Sequence, residues 1–127
     1  MLPADLEAAI RASWSEASCD PVDLPWTAAN PSCGQCGVTA LVVQDHVGGE
    51  LLMATVLHAD GTRQGVHYWN RLPDGSEIDL TRDQFVGGEV VQDDAVTQDR
   101  PDELSDARAW AQYVVLRDRV AAALGAA

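Results

Sequence analysis

The chain has 127 residues, 46% apolar and 22% charged, the composition of one ordinary globular domain over residues 1–127. A formal net charge of −12 argues against nucleic acid, whose phosphates need a basic patch. No apolar run approaches the ~20 residues that span a bilayer.

All eight basic side chains are arginines, and Arg108, Arg117 and Arg119 are interspersed with acids, as on a solvated helix face. The start, Met1 to Glu7, has no basic region ahead of an apolar stretch and so does not read as a signal peptide. A cytoplasmic setting is expected, with the three cysteines as reduced thiols rather than a disulfide framework.

In chain order, Leu6, Ile10 and Trp14 recur at helical spacing and predict a helix over residues 3–17. Pro21, Pro25, Pro31 and Gly34 make 19–35 a long irregular loop, and loops of that length are often functional. A second helix follows from Cys36 to His46, stopped by Gly48-Gly49. Strands are expected over 50–57, 65–72 and 76–80, joined by turns at Ala59 to Thr62 and Leu72 to Gly75. Thr81-Arg82-Asp83-Gln84 has capping-box form, and Val90-Val91 can add a short strand. The polar stretch 92–102 leads to a last helix over 104–124, with Trp110, Tyr113, Val114, Leu116 and Val120 inward. Helices flanking antiparallel strands define an α+β domain.

The chemistry concentrates at Cys33-Gly34-Gln35-Cys36-Gly37. A helix N-terminus presents unpaired N–H groups and the positive end of the dipole, both of which lower a thiol's pKa. Cys36 is therefore expected to be a thiolate nucleophile, with His67 as base and Asp79 as orienter. The hairpin decides whether those two meet. Pro73, Asp74 and Gly75 suit a three-residue loop, in which Leu72 faces Ser76, His67 faces Thr81 and Asp79 faces Trp69. His67 and Asp79 are then diagonal neighbours on one face. A two-residue turn would put them on opposite faces. Tyr68, Ile78 and Leu80 fall on the core face, while the N-terminus of the Cys36 helix is expected against the face of His67, Asp79, Trp69 and Thr81.

Gly34-Gln35-Cys36-Gly37, Val42 to Gly49, His67 to Gly75 and Asp79-Leu80-Thr81 resemble the YunG-like family of small bacterial proteins, over roughly residues 30–85. Cys33-Gly34-Gln35-Cys36 is also similar to the motif that opens the central helix of papain-like proteases, which implies Cys36 as nucleophile and Asn30 at the oxyanion-hole position. His67-Tyr68-Trp69 followed by Asp79 is similar to the His and Asp strands of transglutaminase-like enzymes. The resemblance implies a papain-like/transglutaminase-like core: N-terminal helices, the second bearing Cys36, packed on a small antiparallel sheet, with a C-terminal helix.

The activity expected is cysteine-dependent acyl transfer or hydrolysis on an amide or thioester, through a Cys36 thioester and without a cofactor. The partner expected is a small-molecule, peptide or carrier-bound acyl substrate. Asn30 and Gln35 are candidate oxyanion or supporting amides, and Trp26 and Trp69 candidate substrate walls. Other readings stand beside this one. The fold can serve as a non-catalytic binding module, and each triad residue can be merely structural. Cys33-x-x-Cys36 admits a redox pair, although no apolar strand precedes it. It also admits a zinc site, although Cys19, His46, His58 and His67 lack paired ligand spacing.

Overall fold

The computed structural model describes residues 2–20, 23–101 and 107–125. It is an α+β fold with three α-helices and one antiparallel sheet: α1 (Ala4–Ser13), α2 (Cys36–Val47), β1 (Glu50–Leu57), β2 (Arg63–Arg71), β3 (Glu77–Ile78), β4 (Val90–Val91), β5 (Val96–Gln98) and α3 (Ala107–Gly125). The first helix is shorter than its apolar spacing predicts. After Ser13 the chain extends, then makes a separate 3-10 turn at Glu16–Ser18, where Ser15 and Ser18 form a reciprocal capping box. The part of the predicted last helix before residue 107 lies outside the described residues.

The strands run β3-β2-β1-β4, and β5 also pairs with β1. β4 meets β1 at Val56 and Leu57, and β5 meets it at Leu51 to Met53, so two short strands share one edge. Nothing in the polar 92–102 stretch marks β5 in sequence. Its three residues gain their order from the β1 edge they cover rather than from their own apolar pattern.

The β2–β3 hairpin adopts the register expected from its turn. Asn70 faces Ile78 and Arg71 faces Glu77, the Leu72 N–H donates to the Ser76 carbonyl at 2.7 Å, and Gly75 takes φ +89°.

The main core lies between the three helices and one sheet face. Ile10, Val42, Val43, Leu116 and Val120 are fully enclosed there, and Tyr68 and Ile78 pack against them from the sheet. The opposite face carries a smaller cluster of Leu52, Ala54 and Trp69. One expectation is corrected here. The start of α2 packs on the Tyr68 face, not the His67 face. The Asn70 amide, buried on that face, donates to the Ala40 carbonyl at 2.9 Å, and Gly37 lies over the Tyr68 ring. The apolar side of α2 needs the larger apolar face of the sheet, which is the one bearing Tyr68 and Ile78.

Candidate active site

His67 is fully buried on β2. Its ring stacks on Trp69, centroids 5.6 Å apart, and takes the edge of Phe85 at 5.0 Å. Its Nε2 lies 2.7 Å from Asp79 Oδ2. An ionised carboxylate only accepts, so Nε2 carries the proton and the lone pair is on Nδ1. A second donor, Arg82 Nε, reaches the same Asp79 oxygen at 2.6 Å. Burial works to raise the Asp79 carboxyl, but the hydrogen bond and charge of His67, then those of Arg82, outweigh it and hold the pKa below the usual carboxylate value.

Cys36 is the first residue of α2 and is half-buried, with the backbone N–H groups of Tyr68 and Gly37 acting to lower its thiol. Burial nevertheless pushes the thiol up to about 11, and the charges of Asp23 and Asp79 push the same way. The expected neutral-pH thiolate is therefore not the resting state. Desolvation outweighs the helix terminus and both N–H groups.

No hydrogen bond joins Cys36 Sγ to a His67 ring nitrogen. Nδ1 faces the Gln84 carboxamide instead, with Nε2 of Gln84 3.5 Å away. The thiol lies beside the residue that follows His67 in the strand, which brings the two groups to one stretch of β2.

The segment 81–85 crosses from His67 to the loop before Cys36 and clips it. Asn30 Nδ2 donates to the Gln84 carbonyl at 3.2 Å, Ser32 Oγ to Asp83 Oδ1 at 2.6 Å, and the Gly34 N–H to Gln84 Oε1 at 3.3 Å. Thr81 makes no side-chain cap bond, so the capping box read from the sequence does not form there. Gln84 Nε2 bonds the Thr81 carbonyl instead, at 3.0 Å.

Gln35 is wholly enclosed. Its Oε1 accepts from Ser18 Oγ at 2.7 Å and its Nε2 donates to the Ser15 carbonyl at 3.0 Å, fixing the turn that leads into Cys36. Trp26 folds back on its own loop, donating to the Pro31 carbonyl at 2.9 Å. Trp69 lies under His67, bonds Glu77 at 2.7 Å and carries the Arg82 guanidinium 5.4 Å over its ring. A cavity of about 440 Å³ opens beside the thiol, with Cys36, Gly37, Tyr68, Gln84 and Phe85 on its wall; neither tryptophan lines it.

Gln84, Arg82 and Phe85 were not singled out in sequence as site residues. The only signal was their place just after the Asp79 strand, too short a segment to show a pattern. Among the described residues no three His, Cys, Asp or Glu side chains group to hold a metal ion, and no helix is long and apolar enough to cross a membrane.

The family model described as YunG protein matches residues 2–125, so the chain belongs to that family. YunG of Bacillus subtilis (strain 168) is 41% identical over 76 residues, 60% of this chain, and the chain spans 56% of that relative's length. No solved structure matches the chain.

Proposed function

We propose that the protein is a cysteine-dependent acyl transferase or hydrolase of papain-like or transglutaminase-like type, acting on an amide or thioester through Cys36, His67 and Asp79. The observation that carries this reading is the 2.7 Å bond between His67 and Asp79. It aims the proton-bearing nitrogen at the carboxylate and leaves Nδ1 as the base. Because the resting thiol is neutral, the proton moves as the bond forms. Cys36 Sγ turns from the N–H groups of Tyr68 and Gly37 and attacks the carbonyl carbon while its proton passes to Nδ1. Asp79 stabilises the imidazolium. His67 then protonates the leaving group, and an acceptor resolves the thioester with His67 again as base.

Incubation with p-nitrophenyl acetate, followed by intact mass and peptide mapping, tests this. The native protein is expected to gain one acetyl group on Cys36. His67→Ala and Asp79→Asn should each slow the gain by about a hundredfold or more. Acetylation at the same rate in His67→Ala would remove the base from the mechanism. A binding module is the second reading, favoured by a thiol held near 11 and a histidine whose base nitrogen faces Gln84. Under it, Cys36→Ala leaves ligand binding intact and no acyl protein accumulates.

A further inference from the structure

An acyl transfer at Cys36 develops negative charge on the carbonyl oxygen, and a site for that chemistry needs donors aimed at it. The amides expected to supply one do not line the cavity: Asn30 Nδ2 donates to the Gln84 carbonyl, and Gln35 is enclosed against Ser18 and Ser15. Gln84 is different. It lies on the cavity wall with Cys36 and Gly34. Two backbone groups orient it, since Oε1 accepts from the Gly34 N–H and Nε2 donates to the Thr81 carbonyl. One Nε2 hydrogen is spent on Thr81. The other heads toward His67 Nδ1 across 3.5 Å, beyond the usual range for an N–H donor.

We propose that Gln84 is a catalytic residue whose second N–H, held only by the long contact with His67, binds the oxyanion when Cys36 attacks, an inference that rests on the acyl-transfer reading. The Sγ–C bond forms, the C=O π pair moves onto oxygen, and the thiol proton goes to His67 Nδ1. The Gln84 N–H, released from its long contact with that nitrogen, then meets the new O⁻. Collapse restores the C=O bond and expels the leaving group, which takes the proton from His67. The backbone anchors at Gly34 and Thr81 hold the amide beside the base.

Two reactions of the same thiol test this. Acetylation by p-nitrophenyl acetate passes through an oxyanion. Alkylation by iodoacetamide displaces iodide at a saturated carbon and does not. Both are followed at Cys36 by peptide mapping, in native protein, Gln84→Ala and Gln84→Glu. The glutamate variant keeps the acceptor for the Gly34 N–H and the packing but has no donor. Gln84→Ala should lose about a hundredfold in acetylation while alkylation stays within about twofold; in Gln84→Glu, whose new charge also lowers the thiolate fraction, acetylation should fall at least about tenfold further than alkylation. Equal losses in the two reactions would overturn the proposal and make Gln84 a residue that only places the Cys36 loop. Undiminished acetylation in Gln84→Glu would overturn it too. Native protein that is alkylated at Cys36 but never acetylated would refute acyl transfer itself, and the role of Gln84 with it.

Discussion

Asp79 gives one oxygen to two donors, His67 Nε2 and Arg82 Nε, while its Oδ1 is buried without a hydrogen-bond partner. The two donors do not compete equally. The Arg82 side chain is 51% exposed and screened by solvent, whereas the His67 ring is wholly enclosed, so the carboxylate acts mainly on the imidazole. At Cys36 the balance goes the other way, and burial wins over the helix terminus. Alkylation of Cys36 by iodoacetamide should therefore rise about tenfold per pH unit from neutral pH, levelling only near 11. A rate already flat between pH 7 and 9 would mean that His67 has taken the proton in the resting protein.

At the scale of the elements, the turn after β2 decides the site. Pro73, Asp74 and Gly75 set the pairing of Asn70 with Ile78, and that register puts His67 and Asp79 within bonding distance. This was legible because turn chemistry and strand period are local properties. The face chosen by α2 was not legible, because it depends on which side of the sheet carries more apolar area once β1 is in place. The link through Gln84 was also beyond the sequence. It rests on side-chain contacts to residues 50 and 17 positions away.

Two glycines separate backbone strain from crowding at the ends of this sheet. Gly49 and Gly75 have nearly the same positive φ, +87° and +89°, but a Cβ on Gly49 would collide with the Arg71 carbonyl oxygen, while one on Gly75 meets nothing. Gly75→Ala should cost about 1–2 kcal/mol, the left-handed penalty alone. Gly49→Ala should cost at least about 2 kcal/mol more, because the β1–β2 pairing must shift. Urea unfolding compares them, and equal midpoints would contradict the close approach.

Across the whole molecule the acidic excess sets the response to pH. The net charge of −12 repels itself, and protonation relieves that as pH falls. Individual carboxylates act in the opposite sense. Asp79 is held below its ordinary 3.8 against the pull of burial by His67 and Arg82. Asp60 and Asp94 are lowered by threonine hydrogen bonds, and Asp74 is brought to about 2 by Ser76. A group whose folded pKa is depressed contributes stability that is present above its unfolded value and lost as pH falls through the folded one. Asp23 runs against them: burial and the neighbouring Asp20 raise it, so its protonation favours the folded state. Asp60, Asp74 and Asp94 are fully exposed and screened by solvent, so Asp79 is the specific bond set against that gain at the acid end. Circular dichroism should show stability holding down to about pH 4 and falling between 3.8 and about 2. Asp79→Asn should flatten part of that fall, since the variant has no carboxylate there to protonate. An unchanged acid profile in Asp79→Asn would mean that the His67–Asp79 bond contributes nothing to folding, leaving its polarity to be explained by chemistry alone.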